Sequence, residues 1–108
     1  MKNEKSLKIY EEATKYIPGG VNSPVRAFKS VGLDPIFIER AHGSRIYDVD
    51  GNEYIDYICS WGPLMLGHSP KEIVEGIEEV VYRGTSYGVP TAIEVEMAKL
   101  VVEAYPAI

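Results

Sequence analysis

The sequence predicts an α+β fold: one helix, then a three-stranded antiparallel meander, then two more helices. Three observations predict it. Apolar residues recur at helical spacing in residues 6–16, 70–83 and 92–105. Between the first two of these segments, short runs rich in β-branched and aromatic residues are separated by turn residues. Glycine and proline punctuate the chain between the predicted elements, as is typical of a small globular protein.

Composition narrows the class of protein. The chain has 108 residues, of which 45% are hydrophobic and 25% charged, and its formal net charge is -5. A negative chain without a basic run argues against nucleic acid and anionic membranes as partners. It has no signal-peptide pattern and no apolar run long enough to span a membrane, so we expect a cytoplasmic protein. The single cysteine, Cys59, excludes an internal disulfide and indicates a buried thiol in a reducing compartment.

The first helix is predicted over Ser6–Tyr16, where it ends before an unusual loop, Pro18–Phe28. Two prolines and two adjacent glycines make this loop stiff and give it a fixed shape. It carries Ser23 and Arg26, and a guanidinium is a two-pronged donor to carboxylate or phosphate. Two interpretations stand at this point, an anion-binding loop and a tight connector with a surface arginine. Loop chemistry alone favours the connector.

The meander is predicted from three runs, Pro35–Arg40, Arg45–Val49 and Glu53–Cys59. The run Asp48–Asn52 resembles a calcium loop, but it lacks the spacing and the distal glutamate of one, so it predicts a hairpin turn. No His, Cys, Asp or Glu residues stand at metal-ligand spacing.

The next run, Ser60–His68, is apolar and contains the only tryptophan, Trp61. Glycines beside a large aromatic ring indicate close backbone approach, and Trp61 fits core packing and a pocket wall equally well. A packing or helix-end role is favoured for His68.

Two capped helices complete the chain. Ser69 with Glu72 and Thr91 with Glu94 both have the spacing of a capping box. Each helix has an apolar stripe that we expect to be buried, namely Ile73, Val74, Ile77, Val80 and Val81 in one and Val95, Ala98, Val101, Val102 and Tyr105 in the other. These stripes exceed what three strands can cover, so we expect further chain or a partner to cover them.

No nucleophile, zinc or P-loop motif is present. What remains is a set of three irregular loops, residues 19–28, 60–68 and 84–90. If these loops converge, they bring Ser23, Arg26, Trp61 and Tyr87 together as a pocket for a small carboxylate.

Three runs carry a family resemblance: Pro18–Phe28, Asp48–Tyr57 and Ser60–His68. They resemble the N-terminal segment of the class III pyridoxal-phosphate-dependent aminotransferases. The Asp-Gly-Asn hairpin and the Gly67-His68 pair are similar to the family at large. The loop Gly-Gly-Val-Asn-Ser-Pro-Val-Arg and the run Ser-Trp-Gly-Pro are similar to its aminomutase branch. The resemblance covers essentially the whole chain.

The resemblance implies a fold type I (aspartate aminotransferase-like) α/β enzyme that works as a homodimer. It implies an isomerase of porphyrin (tetrapyrrole) biosynthesis that converts glutamate 1-semialdehyde to 5-aminolevulinate with pyridoxal 5'-phosphate. Ser23 and Arg26 would hold the substrate carboxylate, and Trp61 would lie beside the substrate. Tyr87 and Gly88 match a family loop near the active site and dimer interface.

The resemblance also implies a division of labour. Residues 1–68 correspond to an N-terminal arm and small-domain meander with the substrate loops, and residues 69–108 to a helical segment that leads into a cofactor-binding large domain. The Schiff-base lysine, the phosphate loop and the aspartate at the pyridine nitrogen are expected beyond Ile108. We therefore expect no catalytic residue in this chain, and no activity from it alone.

Two alternatives remain open. One is another class III aminotransferase with a different amino donor, against which the arginine loop argues. The other, from a different class, is a non-catalytic assembly module whose apolar helix faces bind a partner chain.

Overall fold

The computed structural model describes residues 2–105 and 107. In chain order the regular elements are α1 (Glu4–Ala13), β1 (Ile38–His42), β2 (Arg45–Asp48), β3 (Glu53–Ile55), α2 (Lys71–Val81) and α3 (Ala92–Ala104). The predicted α+β order is confirmed. The chain divides into two units, Met1–Lys71 and Glu72–Ile108. The assignment of residues 1–68 and 69–108 to the small and large domains of an aminotransferase stays a prediction.

The sheet of the first unit is the predicted meander, in the order β1-β2-β3 with both pairs antiparallel. Four of its boundaries differ from the prediction. β1 ends at His42 and not at Arg40, and β2 ends at Asp48 and not at Val49. β1 begins at Ile38 and not at Pro35, because proline has no backbone N–H for the ladder and the Phe37 N–H donates to the Ser6 hydroxyl oxygen instead of to a strand. β3 ends at Ile55 and not at Cys59, because the next residue, Asp56, turns the chain.

The Asp48–Asn52 run forms the predicted hairpin turn between β2 and β3. Asp48 is 1% exposed, and its carboxylate accepts hydrogen bonds from the backbone N–H groups of Asp50 at 3.0 Å and Asn52 at 2.8 Å. It also accepts from the Asn52 side-chain amide at 2.8 Å and from the Tyr54 hydroxyl at 2.7 Å.

This network shifts two pKa values in opposite directions. Burial acts to raise the pKa of Asp48, but the hydrogen bonds from Asn52, Tyr54 and the backbone outweigh it and the pKa is lowered. Burial and the hydrogen bond to the Asp48 carboxylate raise the pKa of Tyr54 to about 12. The turn therefore keeps a carboxylate and a neutral phenol at neutral pH.

Asp50, in the same turn, fixes the start of α1. Its carboxylate accepts hydrogen bonds from the backbone N–H groups of Lys5 at 2.8 Å and Ser6 at 2.9 Å, in the first turn of the helix. Helix N-termini leave such donors unpaired, and a carboxylate there also interacts favourably with the helix dipole. A residue distant in sequence thus supplies the acceptor that a local N-cap side chain would supply, and α1 begins at Glu4, two residues before the predicted start.

The first helix also ends earlier than predicted, at Ala13 and not at Tyr16. After Ala13 the backbone hydrogen bonds span three residues instead of four. The Lys15 N–H donates to the Glu12 carbonyl, and the Tyr16 N–H donates to the Ala13 carbonyl. At the start of α1, Ser6 is 1% exposed and its Oγ accepts from the Phe37 N–H at 3.3 Å. The helix is therefore attached to the sheet at its first turn.

The second unit contains α2 and α3. The predicted capping box of α3 is confirmed, with the Thr91 side chain and the Glu94 side chain each bonded to the other residue's backbone N–H. Within the described residues the two apolar stripes are not buried, because every residue of both stripes is exposed. Their cover by further chain or a partner stays a prediction. Helical periodicity shows which face is apolar, but burial requires another element packed on that face, and these two helices do not cover each other's stripes. Within residues 2–105, no helix combines the length and the hydrophobicity needed to cross a bilayer.

Removal of the Asp50 carboxylate should release the start of α1. We expect Asp50→Ala to speed hydrogen exchange of the α1 backbone amides by about two- to thirtyfold, the range that the loss of a helix cap produces. Exchange in α3 should not change. Hydrogen-exchange mass spectrometry measures both segments in one experiment.

Asp34→Ala is the matched control, because it removes the same charge from an exposed residue. It should leave α1 protected. Equal protection of α1 in the wild type and in Asp50→Ala would contradict the capping role.

Candidate functional site

The Pro18–Phe28 loop is built from two short 3-10 turns, Pro18–Gly20 and Pro24–Ala27. Gly19 and Gly20 have φ values of 72° and 73°, which few residues other than glycine adopt. After the second turn Phe28 has a φ of 57°, in the left-handed region. The predicted irregular backbone of this loop is confirmed.

Gly20 fixes this loop to α1. It is buried, and a Cβ placed on it would lie 2.5 Å from Cε2 of the Tyr10 ring and 3.0 Å from Cγ2 of Thr14. The same substitution at Gly19 would meet no atom within 4 Å. Glycine at position 20 is therefore required for close packing as well as for its φ value, and the loop lies directly against the last turns of the helix.

Ser23 and Arg26 belong to the second 3-10 turn, and the structure brings them together. The Arg26 N–H donates to the Ser23 carbonyl at 2.9 Å. Ala27, beside Arg26, is buried and anchors the turn. The Arg26 side chain is exposed, and its guanidinium has no ion-pair or hydrogen-bond partner in the part of the chain that the structure describes. A charged fork on a fixed turn is thus available to an anion.

A cavity of about 320 Å³ lies beside Arg26. Arg26 and Asn22 provide its polar side chains, and Ile17, Val21 and Phe37 are among its apolar lining residues. Asn22 was not predicted as a site residue, although its position next to Ser23 was the available signal. Ser23 itself does not line this cavity. The combination of one cation, one amide and an apolar wall suits a small molecule with a terminal carboxylate.

Trp61 lies elsewhere in the first unit, in a short 3-10 turn, Cys59–Trp61. Its side chain is 70% exposed, so it is not a core residue. Cys59, Ser60 and Trp61 have φ values of 50°, 52° and 66°. Three consecutive left-handed residues other than glycine are unusual, and each costs about 1–2 kcal/mol. The prediction that Cys59 is buried is wrong, because the thiol sits in this exposed turn and is only half-buried.

Asp56 and His68 close the loop that carries Trp61. His68 Nε2 lies 2.7 Å from Asp56 Oδ2, and both side chains are largely buried. The other Asp56 oxygen accepts from the N–H groups of Ile58 at 2.9 Å and Cys59 at 3.1 Å. The hydrogen bond from His68, followed by that from Ile58, holds the pKa of Asp56 below its usual value in spite of burial. Sequence reasoning did not pair these residues, because no local motif links positions so far apart.

The predicted convergence of the three loops stays a prediction. Ser23 and Arg26 are neighbours within one loop, and Trp61 is not among the residues that line the cavity beside Arg26. Tyr87 and Gly88 lie in the second unit, between α2 and α3. The Tyr87 hydroxyl donates to the carbonyls of Arg83 and Gly84, so it folds its own loop. The roles assigned to Ser23, Arg26, Trp61, Tyr87 and Gly88 stay predictions.

The residues present do not form a pyridoxal phosphate site. Every lysine of the chain is exposed, whereas a reactive lysine is usually desolvated. At two helix N-termini, backbone N–H groups that could bind a phosphate already have acceptors. These are the Asp50 carboxylate at α1 and the capping box at α3. No cluster of metal-binding side chains occurs within the described residues either.

The comparisons with known proteins agree with one another. The family model Aminotransferase class-III matches residues 28–105. The chain is 73% identical, over all of its 108 residues, to glutamate-1-semialdehyde 2,1-aminomutase of Clostridium novyi (strain NT), of which it covers 25%. It is 62% identical over the same span to the protein of that name from Persephonella marina, again covering 25%. A solved structure of a transaminase with PLP bound is similar with a TM-score of 0.84 and 38% identity, over 95% of this chain and 24% of that one.

The chain belongs to the class III aminotransferase family. The resemblance in sequence is confirmed by the family model, and the fold is confirmed by the transaminase structure. The chain spans about a quarter of the length of the curated relatives it matches.

The Asp56 carboxyl should titrate below the ordinary aspartate value of about 3.9. Because its folded pKa lies below its unfolded pKa, its contribution to stability is complete above the unfolded value and is lost as pH falls through the folded pKa. An NMR titration of the carboxyl carbon from about pH 6 to about pH 2 measures this.

His68→Leu removes the first donor to the carboxylate, so it should move the pKa of Asp56 upward. An Asp56 that titrates at or above the ordinary value in the wild type would contradict the hydrogen-bond network described here.

Proposed function

We propose that this chain is the part of a glutamate-1-semialdehyde 2,1-aminomutase that holds the substrate carboxylate. The whole enzyme converts glutamate 1-semialdehyde to 5-aminolevulinate, in the synthesis of tetrapyrroles. The observation that carries the proposal is the unpaired Arg26 guanidinium on a fixed turn beside a cavity. The high identity to relatives of that name over the whole chain supports it.

The chemistry of the substrate suits this arrangement. The reaction is an isomerisation in which an amino group moves from carbon 2 to carbon 1, and the carboxylate at the far end of the molecule is unchanged. A group that is the same in substrate and product can stay bound throughout the reaction. Arg26 can bind this carboxylate through two parallel hydrogen bonds, and the apolar wall of the cavity accommodates the methylene carbons.

Ser23 and Trp61 have supporting roles in the proposal. Ser23 is half-buried at the start of the Arg26 turn, and its hydroxyl makes no hydrogen bond within the described residues, so it can donate to the same carboxylate. The exposed Trp61 ring provides an apolar surface for the substrate. In the proposal, the loop that contains Tyr87 and Gly88 lies near the active site and the subunit interface.

The amino-group exchange itself belongs to pyridoxal phosphate and to parts of the whole enzyme other than these residues. The residues described here bind and orient the substrate, and none is assigned a catalytic role. A homodimer and a cytoplasmic location are part of the same proposal. The family resemblance supports the homodimer, and the polar, uninterrupted pattern of the sequence supports the location.

Arg26→Ala in the whole enzyme tests the proposal. A hydrogen bond to a charged group is worth about 1.5–3 kcal/mol, so we expect KM for glutamate 1-semialdehyde to rise roughly 10- to 150-fold. The change in kcat should be smaller, because the carboxylate is bound alike in the ground state and the transition state. Arg26→Lys should give an intermediate KM, since it keeps the charge but loses the fork. Steady-state assays without an added amino donor measure both constants.

Arg40→Ala is the matched control, because it removes one positive charge from a side chain that stacks on Tyr47 in the sheet. Its KM should match the wild type. An Arg26→Ala enzyme with unchanged KM would refute the carboxylate role. A requirement for an added 2-oxo acid would instead favour a transaminase of the same family.

A further inference from the structure

The segment from Asp56 to His68 is a loop that closes on itself and carries Trp61 at an exposed position. We propose that Asp56 and His68 are positioning residues that hold Trp61 in its substrate-binding orientation. The inference rests on the proposed function, because that function gives Trp61 its role beside the substrate. Neither Asp56 nor His68 touches the substrate in this account.

Trp61 is positioned by its backbone. Its side chain is 70% exposed, so packing around the ring does little to fix it. The direction in which its Cα–Cβ bond leaves the chain is therefore set by the backbone that carries it. That backbone is in the left-handed region at Cys59, Ser60 and Trp61, and such conformations persist only where surrounding contacts enforce them.

The Asp56 carboxylate makes the contacts that enforce this conformation. One oxygen of Asp56 accepts the N–H groups of Ile58 and Cys59 and so turns the chain into the strained residues. The other oxygen binds His68 Nε2 at 2.7 Å, at the far end of the loop. Because the lowered pKa of Asp56 keeps it ionised at neutral pH, Nε2 carries the proton and donates it. A single carboxylate thus joins the entrance, the turn and the exit of the loop.

Both ends of the loop are also fixed to the sheet by backbone hydrogen bonds. The Asp56 N–H donates to the Ser44 carbonyl at 2.9 Å, and Gly43 and His68 exchange two backbone hydrogen bonds of 2.8 and 2.9 Å. Gly67 allows this approach, since a Cβ on it would lie 2.8 Å from the Gly43 carbonyl oxygen. The ends of the loop are held by these backbone contacts, and the Trp61 N–H donates to the Ile58 carbonyl at 2.9 Å within the turn. The Asp56–His68 bond is the side-chain contact that joins the turn to the end of the loop.

The Asp56–His68 bond affects substrate binding through the fraction of molecules in which Trp61 has its binding orientation. If the Asp56–His68 bond is lost, the strained turn relaxes and Trp61 occupies its binding orientation only part of the time. The apparent affinity for substrate falls by that fraction, whereas the molecules that do bind react normally. A positioning role therefore raises KM and leaves kcat nearly unchanged. Loss of folded enzyme would instead lower kcat and leave KM unchanged.

The test compares variants of His68 in the whole enzyme, with kcat expressed per folded active site. His68→Leu removes the donor at similar size, and KM for glutamate 1-semialdehyde should rise about tenfold while kcat stays within about twofold. His68→Gln can place an N–H group near the original Nε2 position, so it should restore KM to within about threefold of the wild type. His42→Leu is the control, because His42 is exposed on β1, and its constants should not change.

If His68→Leu does not fold, His68→Asn replaces it, because the shorter amide cannot reach Asp56 whereas glutamine can. The expected contrast is the same, a raised KM for asparagine and a near-normal KM for glutamine. The inference is overturned if KM is unchanged in the variant that lacks the donor, if only kcat falls, or if glutamine behaves like leucine or asparagine. Arg26→Ala, assayed in parallel, separates the two proposals. An unchanged KM for Arg26→Ala refutes the proposed function, whereas a raised KM there with a normal His68→Leu refutes only the positioning pair.

Discussion

The contact between the Asp50 carboxylate and the first turn of α1 is the constraint on which the first unit depends. It joins the hairpin turn to the N-terminal helix across more than forty residues of chain. A helix of this length has little stability by itself, so its position is set by what it is attached to. The contact is possible only because Asp48 holds the turn in shape from its buried position.

From that contact a series of packing steps leads to the candidate site. Asp50 fixes the start of α1, and the helix then presents Tyr10 to Gly20. Gly20 fixes the first 3-10 turn of the Pro18–Phe28 loop, and the second turn carries Ser23 and Arg26. Electrostatics and packing in the scaffold thus determine where the Arg26 side chain stands.

The sequence predicted the features that arise from local chemistry. The meander followed from alternating strands and an Asp-Gly turn, the α3 cap from the spacing of Thr91 and Glu94, and the shape of the Arg26 loop from its glycines and prolines. What it could not predict depends on contacts between distant residues. The start of α1 depends on Asp50, and β3 ends early because Asp56 turns the chain. The exposed stripes of α2 and α3 show the same limit, since a pattern defines an apolar face but not what covers it.

The candidate site divides in the same way. Ser23 and Arg26 were predictable as a pair because they share one turn, whereas the pairing of Asp56 with His68 has no local signature. The most direct test of the account is a crystal structure of the whole enzyme with a bound carboxylate analogue of the substrate, such as 4-aminobutyrate. The account predicts that an Arg26 guanidinium nitrogen lies within about 2.7–3.2 Å of a carboxylate oxygen of the analogue. A carboxylate bound by another residue, with Arg26 directed away from it, would contradict the account.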